Sequence, residues 1–163
     1  MSFRSLSTAT IVGAIAISAG APAEASSLTD DGITYTLTES SISSTEDQFT
    51  LGITGINGPS DTESGRYGVN AFAFNPPTGL VTGSAAGFTY MTGGLNAMGC
   101  DGSGNFFCFN ANTAPSSPAL PANSSLQYTF DLTVATAGDF AGYSPDFKIE
   151  WLGTQNHYDL VSE

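Results

Sequence analysis

Alternation of apolar and polar residues with a period of two is the feature that most constrains the fold of this chain. It is clearest over residues 126–134, which read Leu-Gln-Tyr-Thr-Phe-Asp-Leu-Thr-Val. Successive side chains of a strand point to opposite faces of its sheet, so this pattern predicts a strand with one buried and one solvated face. Similar alternation occurs over residues 33–38, 49–54 and 147–151.

One further segment, Tyr67–Asn75, is apolar on both faces, which is typical of a central strand. Shorter strand candidates are residues 87–91 and the two arms of a hairpin around the cysteines. Between these candidates lie clusters of turn-forming residues, and no segment shows a capped helical period. The sequence therefore predicts an all-β fold of seven or eight short strands, arranged as a two-sheet antiparallel sandwich, with jelly-roll connections as one option.

The amino terminus has the organisation of a secretory signal. Arg4 precedes a short apolar run over residues 9–17, and Ala23-Glu24-Ala25 provides an A-x-A cleavage site. The run is too short to cross a bilayer, which takes about 20 apolar residues, and it lacks the caps and amphipathicity of a core helix. No later segment is long and apolar enough to span a membrane. We therefore expect a helical signal peptide over 1–25, cleavage after Ala25, and a single β-sandwich domain over 26–163.

The charge balance restricts the partners of the chain. Fifteen acidic residues face three basic ones, for a net charge of −12. Nucleic acids are held mainly by lysine and arginine, so this composition argues against nucleic-acid binding.

The two cysteines, Cys100 and Cys108, flank a segment rich in glycine and polar turn residues. In an oxidising compartment an even pair at this spacing is most simply a disulfide. A zinc site would need more soft ligands, and redox catalysis usually uses the tighter C-x-x-C spacing. We predict a structural disulfide closing a hairpin through the turn between the cysteines.

Few residues could support catalysis. His157 is the only histidine, and the sequence contains no G-x-S-x-G nucleophile elbow. Asp131 and Glu150 fall on the polar phase of their strands, where a solvated carboxylate is expected. We therefore predict no catalytic residue and no cofactor, and a secreted hydrolase is only the third candidate function.

Calcium is the one inorganic partner that the sequence raises. Oxygen-bearing side chains alternate at Asp101, Ser103 and Asn105, as at the start of an EF-hand loop, and a second oxygen-rich stretch contains Asp61 and Glu63. The EF-hand pattern fails at Phe106 and Asn112, where it requires glycine and a bidentate glutamate. These five oxygen-bearing residues are the candidate ligands of a calcium ion that would stabilise the fold.

Aromatic residues near the carboxyl end suggest contact with sugars. The candidates are Trp151, Tyr143 and Tyr158. Trp151 continues the inward phase of Phe147 and Ile149, however, and this favours a place in the core.

Three nearby phenylalanines raise a separate point. Phe106, Phe107 and Phe109 cannot all face the same side of one strand. We expect Phe107 to cover a second surface or to contact a partner.

Several segments, together with the signal peptide, resemble the PEP-CTERM group of exported bacterial proteins. The segments are residues 31–37, 49–57, 99–108 and 146–153. The resemblance implies export from a Gram-negative-type bacterium and association with exopolysaccharide and biofilm, with no assigned catalytic residue. In that group an exosortase processes a carboxy-terminal tail that begins with a Pro-Glu-Pro motif. This chain ends at Val161-Ser162-Glu163 without that motif.

The predicted function is that of a secreted, non-catalytic protein of the extracellular matrix or cell surface, associated with exopolysaccharide. The alternative is a carbohydrate-binding module. Expected partners are extracellular polysaccharides or other surface proteins, and the sequence does not indicate an oligomeric state.

Overall fold

The computed structural model describes residues 26–96 and 99–154, and the backbone of residues 157–161. The predicted signal peptide and its cleavage site lie outside these residues. The described part contains ten strands and no helix, so no helix there could cross a membrane. The strands are β1 (Ser26–Asp30), β2 (Ile33–Ser41), β3 (Glu46–Ile56), β4 (Arg66–Phe74), β5 (Leu80–Ala85), β6 (Phe88–Asn96), β7 (Gly99–Ala111), β8 (Ser124–Val134), β9 (Phe147–Gly153) and β10 (His157–Val161).

These strands form two antiparallel sheets, which confirms the predicted sandwich. Sheet 1 has the order β1-β2-β3-β8-β5, and sheet 2 has the order β10-β9-β4-β7-β6. Five of the connections pass from one sheet to the other, and β4 lies at the centre of sheet 2, as its two-sided apolar sequence predicted. Three short strands of five or six residues, β1, β5 and β10, were not predicted from the sequence.

The core lies between the sheets and is dominated by aromatic side chains. Phe72 and Phe74 on β4 contact Phe130 on β8, with ring centroids 5.8 and 5.1 Å apart. Phe107 and Phe109 also point into this core, and both are fully buried. The expectation that Phe107 covers a second surface was therefore wrong, because residues 107 and 109 share one face of β7 and Phe106 occupies the other.

A second, smaller apolar cluster covers the outer face of sheet 2. Its buried members are Ala71, Ala73, Leu95, Cys100 and Cys108, with Phe106 packed against them. The Cys100–Cys108 disulfide is present, and its Cα atoms are 5.7 Å apart. Eight residues of extended strand would span roughly 26 Å, so the chain between the cysteines must fold back.

The fold-back arises within β7 rather than at a hairpin turn. The pairing with β6 jumps from Thr92 opposite Phe107 to Gly94 opposite Gly102, so β7 contains an extended bulge. A Cβ atom on Gly102 would lie 2.8 Å from the Gly94 carbonyl oxygen, and only glycine permits this approach. The predicted hairpin between the cysteines is therefore corrected: both cysteines belong to β7, and we call residues 100–108 the disulfide loop.

Candidate functional site

A buried ion pair accounts for one of the predicted calcium ligands. Arg66 Nε donates to Asp61 Oδ2 at 3.2 Å, and both side chains are almost fully buried. The Asp61 carboxylate also accepts backbone N–H bonds from Asn57 and Glu63, at 2.8 and 3.0 Å. Both of its oxygens are thus used by the protein itself, and Asp61 serves to hold the β3–β4 connection.

Asn57 completes this network, although its sequence position did not mark it as a site residue. Its Oδ1 accepts the backbone N–H groups of Gly65 and Arg66, both at 2.9 Å. Its Nδ2 donates to the carbonyl oxygens of Arg66 and Leu120, at 3.1 and 2.8 Å. The residue has a φ of 54°, a left-handed conformation that asparagine tolerates better than most residues.

The remaining calcium candidates do not form a ligand cage. Asp101, Ser103 and Asn105 are exposed on the disulfide loop. No group of three or more His, Cys, Asp or Glu side chains in the described residues could hold a metal ion.

Two of the three aromatic residues predicted to contact sugars have side chains described by the structure, and both pack into the protein interior. Trp151 is fully buried beneath the Arg66 guanidinium, which lies 5.0 Å from its ring centroid, and its Nε1 donates to the Tyr35 hydroxyl. The core role favoured by its inward phase is confirmed. The Tyr143 ring packs edge-on against Phe49, and its hydroxyl donates to the Asn75 carbonyl oxygen at 2.7 Å. The side chains of Tyr158 and His157 lie outside the described residues.

Two carboxyl groups meet on the inner face of sheet 1, and neither was a predicted site residue. Glu39 on β2 pairs with Phe49, and Ser41 pairs with Asp47 on β3, so Glu39 and Asp47 are diagonal neighbours on one face. Asp47 is only 5% exposed, and its Oδ1 has no hydrogen-bond partner among the described residues. We call Glu39 and Asp47 the carboxylate pair.

The environment of the pair favours a protonated Glu39. Burial is the main cause that raises the pKa of Glu39 from 4.5 to about 7, and a hydrogen bond to Asp47 and the Asp47 charge add to it. Tyr143 approaches from the β8–β9 connection, where burial and the nearby Glu39 raise the pKa of its hydroxyl. Phe140 and Tyr143 both pack on Phe49, so the pair lies where this connection closes one end of the core.

The sequence contained a signal for this pair. Glu39 continues the apolar phase of Ile33, Tyr35 and Leu37, and Asp47 precedes the apolar phase of Phe49, Leu51 and Ile53. Acidic residues on the buried phase of two adjacent strands indicate a buried polar site, because carboxylates are otherwise almost always exposed.

A third carboxylate departs from the expected solvated state. Glu150 is only 5% exposed and accepts a hydrogen bond from Asn70 Nδ2 at 2.7 Å. Gly99, which precedes the disulfide loop, lies beside it, since a Cβ atom there would be 3.9 Å from Glu150 Oε2. Burial is the main cause that raises the pKa of Glu150, the Asn70 bond opposes the rise, and the nearby Asp101 adds to it. By contrast, Asp131 is half-buried and accepts a hydrogen bond from Gln48 at 3.0 Å.

The outer face of sheet 1 is lined by hydroxyl-bearing side chains. Threonines and serines of neighbouring strands stand in register there, and we define the hydroxyl face by these residues: Thr34, Thr36 and Thr38 on β2; Thr50 and Thr54 on β3; and Ser125, Gln127 and Thr129 on β8. No charged residue belongs to this set, and the nearest acidic positions of the same face, Glu46 and Asp131, lie towards one end. A broad neutral surface therefore exists on a strongly acidic protein.

Comparison with known proteins gives no assignment. No protein-family model matches the chain, and no curated protein sequence matches it significantly.

Proposed function

We propose that this protein is an exported, non-catalytic β-sandwich of the extracellular matrix or cell surface, and that its hydroxyl face contacts exopolysaccharide. The observation that carries the proposal is the hydroxyl face itself. Strands lie about 4.8 Å apart, and alternate residues of a strand about 6.8 Å apart, so the face is a regular array of hydrogen-bond donors and acceptors. Such an array is suited to the repeated hydroxyl groups of a polysaccharide.

The net charge of the protein restricts which polysaccharides it can bind. A net charge of −12 repels anionic chains, most strongly at low salt. The hydroxyl face offers no positive charge that would offset this repulsion. A neutral polysaccharide is therefore the preferred partner.

Two features support export. The disulfide is of a kind that persists mainly in oxidising compartments. The resemblance to PEP-CTERM proteins indicates the same destination, the surroundings of a Gram-negative-type bacterium.

The other candidate functions have less support. Of the three aromatic residues predicted to contact sugars, only Tyr158 could still serve, because Trp151 and Tyr143 are engaged in the interior. The carboxylate pair is in hydrogen-bonding contact, whereas the two acids of a glycosidase are at least about 5 Å apart to admit the sugar. We therefore do not propose a hydrolase.

Co-sedimentation with insoluble neutral and acidic polysaccharides tests the proposal. The double variant Thr50→Asp/Thr129→Asp places two charges in the centre of the hydroxyl face, and Thr113→Asp, in an exposed loop, is the matched control. We expect neutral polysaccharide to retain the wild type and the control at least tenfold better than the double variant. Equal retention of all three proteins, or retention abolished only by Tyr158→Ala, would contradict the proposal.

A further inference from the structure

We infer that the protein forms a homodimer through β6, the edge strand of sheet 2, by antiparallel pairing of β6 with the same strand of a second copy. A strand at the edge of a sheet has backbone N–H and C=O groups that are free to pair with another chain. β6 pairs with β7 on one side, and no described strand pairs with its other side. This edge is separate from the hydroxyl face, which lies on sheet 1.

The side of the sandwich that contains this edge has no charged residue. Residues 67–100 include no Asp, Glu, Lys, Arg or His, although the whole chain has a net charge of −12. This segment contains both edge strands on that side, β5 of sheet 1 and β6 of sheet 2, which are joined by residues 86–87. Copies of an acidic protein repel each other through their charged surfaces. A second copy therefore meets the least repulsion at this neutral side.

The other three sheet edges have features that protect an edge from pairing. β1 and β10 are only five residues long, and each includes an aspartate, Asp30 or Asp159. β5 has six residues, and its pairing with β8 shifts register between Leu80 and Thr82. Short length, charge and bulges are common means by which proteins prevent edge pairing. By contrast, β6 has nine residues with no charge and no proline, and its pairing with β7 stays in register over 88–92.

The residues of β6 are compatible with pairing to a second β6. When two antiparallel copies are centred on Tyr90, Met91 of each copy lies opposite Thr89 of the other. Both residues are exposed in the single chain, Met91 by 41%, so pairing covers an exposed apolar side chain. The Tyr90 ring is held against Phe107 and Phe109, at centroid distances of 6.2 and 5.7 Å. The two Tyr90 residues then face each other across the axis, and such aromatic cross-strand pairs are stabilising.

Pairing of β6 with itself gives a closed dimer and not a longer chain of copies. The contact uses the same patch on both molecules, so it is isologous and is complete with two copies. Sheet 2 of each copy becomes part of one continuous sheet. Because each copy contributes only one strand to the contact, we expect a weak association at the lower end of interface sizes.

The dimer would double the surface that is available to a polysaccharide. The two-fold axis of an antiparallel strand pair is perpendicular to the sheet, so both copies keep the same face on the same side. The two hydroxyl faces therefore point in one direction, and both can contact one polymer, which increases avidity. This consequence rests on the proposed function, whereas dimerisation itself is measured without polysaccharide.

Sedimentation equilibrium of the exported protein, with its disulfide intact, tests dimerisation directly. Raising the protein concentration from about 10 µM to about 1 mM covers the dissociation constants of a weak contact. The average mass should rise over this range towards twice that of the monomer. At a fixed protein concentration the dimer fraction should be larger in about 0.15 M than in about 0.01 M sodium chloride, because salt screens the repulsion between acidic copies.

Two matched substitutions locate the contact. Met91→Glu adds a negative charge to the exposed face of β6 and should raise the dissociation constant of the dimer at least about tenfold, because like charges of the two copies are then close together. Ile42→Glu makes the same change of net charge at a 52% exposed side chain of the β2–β3 connection and should leave the dissociation constant close to that of the wild type. Both side chains are exposed, so both variants should fold, and their melting temperatures check this.

Amide hydrogen exchange gives a second, local measurement of the same contact. Exchange over residues 88–92 should slow as the concentration of the wild type rises, because N–H groups at the edge become hydrogen-bonded. It should not slow in Met91→Glu. Exchange over residues 26–30, at the β1 edge, should be independent of concentration.

Three results would overturn the dimer through β6. One is a wild-type protein that remains monomeric at about 1 mM. Another is a dimer that Met91→Glu and Ile42→Glu weaken equally, or one that is abolished by Val81→Glu on β5 and not by Met91→Glu. The third is an association that weakens as salt is raised, which would indicate a contact between charged groups.

Discussion

At the scale of single residues, the ion pair of Asp61 and Arg66 shows that this acidic protein buries one of its few basic side chains to stabilise the fold. The pair is buried, and Asn57 and Trp151 surround it. Removing one member of a buried pair leaves an uncompensated charge, which typically costs about 3–5 kcal/mol. Arg66→Ala should therefore lower the free energy of unfolding by about this amount in urea titrations. Lys148→Ala is the matched control and should cost less than about 1 kcal/mol, since among the described residues Lys148 contacts the Phe106 ring and forms no ion pair. Similar losses for both variants would refute the structural role of the pair.

The same scale gives a pH prediction for Glu39. Its pKa in the folded protein is raised to about 7, from the 4.5 of a solvent-exposed glutamate. Between these values the folded state holds a proton that the unfolded state has released, so stability falls as pH rises from about 4.5 to 7. The melting temperature of the wild type should decline over this range, and that of Glu39→Gln should decline less. Parallel curves for the two proteins would show that Glu39 does not titrate in this way.

At the scale of elements, the disulfide loop is held on sheet 2 by one covalent bond and a small apolar cluster. Closing a loop of this length stabilises a protein by roughly 2–3 kcal/mol in the chain-entropy model. Cys100→Ala/Cys108→Ala should therefore unfold at lower urea concentration and should expose Glu150, whose pKa would fall towards its ordinary value. Carboxyl chemical shifts followed against pH measure that change. A Glu150 titration identical to that of the wild type would mean that the loop stays in place without the bond.

The sequence predicted an element correctly where the signal for it lies within the element's own residues. Alternation along 126–134 identifies a strand because burial of one face repeats at every second residue. Short strands such as β1 lack that signal, since they contain few apolar residues and depend on a neighbour for pairing. Glu150 was misjudged because its neighbours, Asn70 on β4 and Gly99 at the start of β7, lie on other strands, and periodicity describes a residue's own strand only. The alternation pattern places Glu39 and Asp47 on the buried faces of their strands, so the carboxylate pair could have been predicted from the sequence. The side chains that surround the pair could not, because they come from other strands and connections.

At the scale of the whole molecule, the net charge of −12 acts on every described element at once. Self-repulsion of a compact acidic chain destabilises it, and salt screens this repulsion over a Debye length of about 8 Å at 0.15 M and about 30 Å at 0.01 M. Raising sodium chloride between these concentrations at pH 8 should therefore raise the melting temperature by a few degrees. Wild type and Glu39→Gln should respond almost equally, because screening acts on all the charges. A melting temperature that did not change with sodium chloride would show that self-repulsion of the acidic residues contributes little to the stability of the fold.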